Sequence, residues 1–435
     1  MKKLQILTLL TFTVLQTFAQ ENISPAPVNT GAVLIKNGTL HVGNGQVLQN
    51  TSVLIRNSKI ESIGASIAED GSMTVIDAAG KQVYPGLIAS ATNIGLREIA
   101  NGVKGSTDFR EIGELNPGVR SIAAYNTDSK IINTLRSNGI LLGNIVPQGS
   151  LITGSSSVVQ FDAWNWEDAA YKTDGGIHFM MPSLLVRPQG RARFQQQAPQ
   201  EDPVKEALDK IEGVKSFFRE ARSYQLQKGK PAETNLKLES VKGLFEKKQK
   251  LFIHCDLVKE MLIAIDFVKE FGFDVVIIGG SESWQIADLL KQNNIPVILQ
   301  QLHSLPTMDD DDIDQPFKTP AILQKAGLLF AINDDDGNTT GRNLAFNAGT
   351  AAAYGLSREE ALQAITLNAA KILGIADRTG SIEVGKDANI IISTGDILDE
   401  RTSVVERAFI QGREINLDDK HKQLYEKYKR KYGIK

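Results

Sequence analysis

Short apolar runs broken by polar turns open the ordered part of this sequence. Val33-Leu34-Ile35 leads into Asn37-Gly38, a strong hairpin-turn pair. Val53-Leu54-Ile55-Arg56 and Lys59-Ile60-Glu61-Ser62-Ile63 flank a second polar turn, and Val75-Ile76-Asp77 stands before Gly80. Strands about ten residues apart with turn residues between them predict a small antiparallel sheet. From Val83 the pattern changes to apolar runs that alternate with helical stretches: Ile140-Leu141-Leu142, Leu251-Phe252-Ile253, Val275 to Ile278, Val297-Ile298-Leu299 and Leu328 to Ile332. Continuous apolar strands separated by helices mark a parallel sheet covered on both faces. About 300 residues of this suit a (β/α)8 barrel of the TIM type. The rival, a doubly wound open sheet, lacks a phosphate-binding glycine loop at its start.

Residues 187–250 interrupt the alternation. They are charged and Gln-rich, and Pro203 marks a helix start. Val204, Ala207, Leu208, Ile211, Val214, Phe217, Phe218 and Ala221 then recur at helical spacing, which predicts a helical insertion packed by one face. After Lys386 the strands return, in Ala388 to Ile392 and in Val404-Val405 through Phe409-Ile410, with Gln411-Gly412 as a turn. The fold expected is therefore α/β. A barrel over 85–386 is joined to a composite β-sandwich built from 30–84 and 387–415. The tail from Asp418 is highly charged and reads as a surface helix.

Composition narrows the setting. A net charge of −3 over 435 residues implies no basic surface, so nucleic acid is not an expected partner. Residues 1–20 have the form of a secretory signal. Lys2 and Lys3 supply the positive start, Leu4 to Phe18 the apolar run, and Thr17 to Gln20 the cleavage region. The run is shorter than the roughly 20 residues a spanning helix needs. A periplasmic or secreted protein follows, with no membrane attachment once the signal is removed. The one cysteine, Cys255, excludes an intramolecular disulfide and a Cys-rich zinc site.

Two segments resemble the amidohydrolase superfamily, in particular its imidazolonepropionase- and dihydroorotase-like members. The first is Val53 to Gly86, ending in Ile76-Asp77-Ala78-Ala79-Gly80-Lys81 and Pro85-Gly86-Leu87-Ile88. The second runs from Ala361 to Ile390, with Thr366, Asn368, Ala370, Leu373-Gly374, Gly380-Ser381-Ile382 and Gly385-Lys386-Asp387-Ala388. The resemblance implies a metal-dependent barrel with a composite β-domain, in agreement with the periodicity. It also implies a small cyclic-amide or peptide-like substrate and one divalent metal, zinc first.

The implied metal site is incomplete in this sequence. The family follows Pro-Gly-Leu-Ile with Asp-x-His-x-His on the first barrel strand, where alternation brings both histidines to the barrel mouth. Here those positions hold Ala89, Ala91 and Asn93. His254, at the end of Leu251-Phe252-Ile253, matches a later strand histidine and is a candidate metal ligand. The histidine usual on the next strand is missing from Ile278-Gly279-Gly280-Ser281. The family's metal-binding, proton-carrying aspartate aligns with Asp335, with Asp334 and Asp336 as alternatives. A catalytic zinc usually takes three protein ligands and a water, so two matched positions leave a reduced site or none. His178 and His303 are candidates to complete it or to contact substrate at the barrel mouth. Cys255 neighbours His254 but points to the opposite face of a regular strand, which reads as a buried, inert thiol. The acidic run Asp309 to Asp312 lacks calcium-loop spacing and reads as a solvated loop.

Two functions fit these residues. One is a hydrolase of C–N bonds other than linear peptide bonds, with a rearranged metal site. The other is a non-catalytic amidohydrolase-fold protein, acting as a binding module or as the partner subunit of an intact paralogue, with self-association also open. The two differ in geometry: hydrolysis needs a third metal donor beside His254 and Asp335.

Overall fold

A computed structural model describes residues 24–98, 110–185, 202–227, 233–335 and 339–434. The segment expected to be a secretory signal and part of the 187–250 segment fall outside the described residues. None of the described helices is long and apolar enough to cross a membrane.

Two eight-stranded sheets organise the chain. The first is composite. Its strands are β1 (Val33–His41), β2 (Val47–Arg56), β3 (Lys59–Gly64), β4 (Thr74–Asp77) and β5 (Gln82–Pro85) from the N-terminal segment, with β14 (Ile390–Ser393), β15 (Val405–Ile410) and β16 (Arg413–Glu414) from the C-terminal one. The order is β16-β15-β14-β5-β1-β2-β3, and β4 pairs with the front half of β1. Asn37-Gly38 is no hairpin turn. It lies inside β1 as a bulge, with Asn37 left-handed at φ 62° and its side-chain amide donating to Asp77. The irregularity lets β1 change partners, from β4 along its first half to β5 along its second. An added Cβ at Gly38 would stand 2.7 Å from Val83, so the crossing admits only glycine. Asn57-Ser58 and Gln411-Gly412, with positive φ at each residue, make the tight turns.

The second sheet is the barrel. It comprises β6 (Leu87–Thr92), β7 (Ile140–Ile145), β8 (Ile152–Gln160), β9 (Ala170–Met180), β10 (Lys250–Cys255), β11 (Val275–Gly279), β12 (Val297–Leu299) and β13 (Phe330–Ile332), in sequential order. Neighbours pair in parallel, except that β8 is antiparallel to both β7 and β9. The barrel expected from the sequence is present with this one reversal. The reversed strand, Ile-Thr-Gly-Ser-Ser-Ser-Val-Val-Gln, is buried along its whole length. Its serine run hides it from a hydrophobicity pattern.

The helices, in chain order, are α1 (Lys130–Ser137), α2 (Trp166–Ala169), α3 (Pro203–Gln225), α4 (Leu236–Ser240), α5 (Lys242–Phe245), α6 (Val258–Phe271), α7 (Ala287–Gln292), α8 (Gln315–Ala326), α9 (Leu344–Ala353), α10 (Arg358–Ala364), α11 (Leu367–Leu373) and α12 (Lys420–Tyr432). α3 starts where the pattern places it: Asp202 caps it by accepting from the Val204 N–H, and Pro203 occupies its first turn. Ala207, Ile211, Val214, Phe217, Phe218 and Ala221 are buried, whereas Leu208 faces solvent. Because β9 and β10 are adjacent and parallel, α3 is the crossover between them. It packs Phe218 edge-on against Phe267 of α6 and Phe273 ahead of β11.

Buried charge joins the two sheets. Asp387 accepts from the Tyr171 hydroxyl on β9 and pairs with Lys59 and Arg378. Asp162, after β8, takes Arg136 of α1 and, at 2.8 Å, Arg413 of β16. Breaking one partner of such a buried pair leaves an uncompensated charge.

Candidate functional site

Strand alternation fixes which side chains enter the barrel. Phe179 of β9 packs on Phe267 of α6, so Phe179 faces outward and His178 and Met180 face inward. Cross-strand register carries this face round the sheet: His178 lies beside Phe252, Met180 beside His254, His254 beside Ile278, Ile278 beside Ile298, and Ile298 beside Ala331. The two candidate histidines of β9 and β10 therefore share the interior. His178 Nδ1 lies 2.9 Å from His254 Nε2, and the His178 ring stacks on Phe252 with centroids 4.8 Å apart. One imidazole donates to the other across this contact. Burial holds His178 far below its ordinary pKa, with a further lowering by His254, and brings His254 down to about 4. Both rings are neutral at pH 7. His178 Nε2 is buried without a hydrogen-bond partner.

His303 lies apart. It is exposed in the segment after β12, with Nε2 2.9 Å from the Thr350 hydroxyl and its ring against Phe317. The carboxylates divide similarly. Asp335 is exposed just beyond β13. Asp334 is buried, accepting from Thr340 at 2.7 Å and from Asn347 of α9 at 3.1 Å, and so is engaged on the helix side. Asp336 lies outside the described residues.

The inward side chain at the mouth end of the last strand is Asn333, two residues past Ala331 on the same face. Its amide takes both backbone groups of Ala91: Nδ2 donates to the Ala91 carbonyl at 2.8 Å, and the Ala91 N–H donates to Oδ1 at 3.1 Å. Nδ2 also reaches Gln300, and the Ser90 hydroxyl reaches Oδ1 at 3.4 Å. No β-ladder pairs β6 with β13 among the described residues, so this amide spans the seam of a nearly closed barrel. Asn93 is buried with Oδ1 unpartnered.

Local backbone leaves little room for a side chain after β11. Gly279 and Gly280 have φ of 106° and 62°. A Cβ on Gly279 would lie 2.7 Å from both the Asp256 carboxylate and the Cys255 carbonyl. Any side chain there is strained and crowded. Asp256, two residues past His254, escaped the sequence reading; the signal for it was its strand-end position. Its Oδ1 accepts the Ser281 N–H at 3.3 Å. Partial burial, with the negative charges of Glu260 and Asp335, holds its carboxyl above the usual range. Cys255, on the outer face, is buried, and burial pushes its thiol well up, as suits an inert residue.

The donors among the described residues do not fit a catalytic zinc. All five histidines are described, and among the described residues no three of His, Cys, Asp and Glu come together as a metal would require. His178 and His254 supply two nitrogens turned toward each other. Among the described residues neither Asp335 nor another carboxylate joins them.

Comparison with known proteins accords with this architecture. A sequence model of the amidohydrolase family matches residues 281–415. The chain is 21% identical over 354 residues to Amidohydrolase tasK of Hapsidospora irregularis, an alignment covering 74% of this chain and 35% of that protein. The chain thus spans about a third of the length of that relative. Among solved structures, an amidohydrolase from Thermotoga maritima superposes with a TM-score of 0.75 at 27% identity, covering 88% of this chain and 99% of that one. A prolidase complexed with N-methylphosphonate-L-proline superposes with a TM-score of 0.55 at 16% identity, over 88% and 99% of the two chains, a likeness of fold alone. In sequence over residues 281–415, and in fold over most of its length, the chain is similar to members of the amidohydrolase superfamily.

Proposed function

We propose that this chain uses the amidohydrolase barrel as a binding scaffold for a small amide- or peptide-like molecule and does not itself carry out metal-dependent C–N hydrolysis. Asn333 carries this reading. The inward, mouth-end position of the last barrel strand holds an amide engaged with the Ala91 backbone, while Asp334 is turned to α9 and Asp335 is exposed. A carboxamide neither accepts nor releases a proton near neutral pH, and it is a poor zinc ligand. His178 Nε2 and Asn93 Oδ1, both buried and unpartnered, are the polar atoms free to meet a ligand in the interior. The apolar N-terminal run after Lys2 and Lys3 supports export to the periplasm or beyond. The longer relative, about a third of which this chain matches, supports a role beside further polypeptide, such as an intact paralogue.

A second reading has one observation in its favour. Two imidazole nitrogens 2.9 Å apart on adjacent strands resemble two ligands of a single ion, which would serve a hydrolase with a reduced site. Elemental mass spectrometry on gently purified protein separates the two. The scaffold reading expects well under one equivalent of zinc, iron or manganese, together with a melting temperature that a chelator leaves unchanged. Near one equivalent, lost in His254→Ala, would sink it in favour of the hydrolase. Thermal shifts with dipeptides and cyclic amides then identify the ligand class.

A further inference from the structure

None of the side chains of the C-terminal helix α12 is buried. It is nonetheless well formed. Asp419 caps it by accepting the His421 and Lys422 N–H groups, and Gly433 closes it in the left-handed conformation. It stands beside α1 and is tied near its start by a 3.0 Å contact between Arg342 and His421.

Two patterns run along it. Tyr425, Tyr428 and Tyr432 are 64%, 49% and 65% exposed, and their spacing places them on one stripe. Lys427, Lys429, Arg430 and Lys431 cluster in its second half. Lys429 lies over the Tyr425 ring, and Lys431 between the rings of Tyr428 and Tyr432. Arg430 spends its Nε on the Glu426 carbonyl. An aromatic and cationic face left to solvent over three turns is a docking surface in composition.

Its chemical complement lies elsewhere on the same chain. The segment after β12 carries Asp309, Asp310, Asp311, Asp312 and Asp314. Between and beside these acids Leu305, Met308 and Ile313 are 82%, 39% and 65% exposed. Lys318 pairs with Asp312 and Asp314. The segment thus offers surplus negative charge and exposed aliphatic side chains together, the counterpart of α12's cations and tyrosines. Among the described residues no hydrogen bond or ion pair joins the two within one chain: α12 packs beside α1 and Arg342, whereas the acidic segment pairs with Lys318.

We propose that two copies of this chain associate by reciprocal docking of α12 onto the acidic 305–314 segment of the other copy. A two-fold arrangement makes the contact twice, so each copy covers both its exposed surfaces. The contact is charge-steered and weakens with salt.

Sedimentation equilibrium on the purified full chain tests this. A dimer is expected at about 50 mM salt, with its dissociation constant rising at least tenfold by about 500 mM. Reversing the helix (Lys427→Glu, Lys429→Glu, Arg430→Glu, Lys431→Glu) is expected to give monomers. Reversing the segment (Asp309→Lys, Asp310→Lys, Asp312→Lys) is expected to do the same, and combining both sets to restore the dimer. Circular dichroism melts check that each variant folds; because the side chains are exposed, melting is expected to match the parent. A monomeric parent, a dimer indifferent to either reversal, or a combined variant that stays monomeric would each overturn the proposal. So would a monomer that instead binds anionic vesicles through α12.

Discussion

At the scale of single residues, one buried amide ties the seam of the barrel. Ala91 offers only its backbone, and Asn333 takes both of that residue's hydrogen-bonding groups. Removing the amide leaves a buried N–H and a buried C=O unpaired. Unpaired buried groups cost about 1–3 kcal/mol each, so Asn333→Ala is expected to lose roughly 2–6 kcal/mol in urea unfolding. Asn333→Asp keeps the shape but turns a carboxylate toward the Ala91 carbonyl, and should destabilise at pH 7 and recover partly as the acid protonates. A loss under about 0.5 kcal/mol in the alanine variant would show that the seam is held by something else. Sequence reasoning aimed at Asp335, the middle of three consecutive acids, because an alignment counts positions. It cannot tell which of Asn333, Asp334 and Asp335 a strand end turns inward.

At the scale of elements, the barrel is held by aromatic packing between its outer helices and strands. Phe218 of α3 is fully buried among the rings of Phe217, Phe267, Phe271 and Phe273. The helical spacing of α3 was plain in the sequence. Its place as the β9–β10 crossover was not, because only the parallel pairing of those strands makes it one. Truncating a buried phenylalanine costs about 3–5 kcal/mol. Phe218→Ala is therefore expected to lower the denaturation midpoint strongly, while the exposed Leu208→Ala shifts it by under about 0.5 kcal/mol. Equal effects from the two would mean that α3 is not docked as described. The strands with unbroken apolar runs were equally legible. β8 was missed because three serines occupy its centre, and a serine buried by its neighbours looks like a loop serine in one dimension.

At the scale of the whole molecule, two buried neutral imidazoles couple stability to pH. Burial lowers both histidines below the ordinary 6.5, His254 to about 4. The unfolded chain therefore binds protons that the folded one refuses. Stability from this source is complete above about pH 6.5 and declines as pH falls toward 4, by up to about 1.4 kcal/mol per pH unit for each histidine. Melting temperature measured from pH 7 to 5 is expected to fall more steeply in the parent than in the double variant His178→Phe, His254→Gln. Parallel curves would show that at least one imidazole is already charged or solvated.

The sequence by itself determined the class of fold. Apolar runs of strand length separated by helical stretches specify a covered sheet wherever it closes, and the segments around Pro85-Gly86 and Gly385-Lys386-Asp387 mark the amidohydrolase superfamily. It also placed Ala91 and Asn93, neither an imidazole, after Pro85-Gly86-Leu87-Ile88, whatever their surroundings. Tertiary structure alone decided the rest. It brought His178 and His254 together across 76 residues, left His303 and Asp335 outside, and set Asn333 across the barrel seam. A pairing between strands depends on register and on which face turns inward, and those are fixed by packing against the other side of the sheet rather than by any residue's own neighbours.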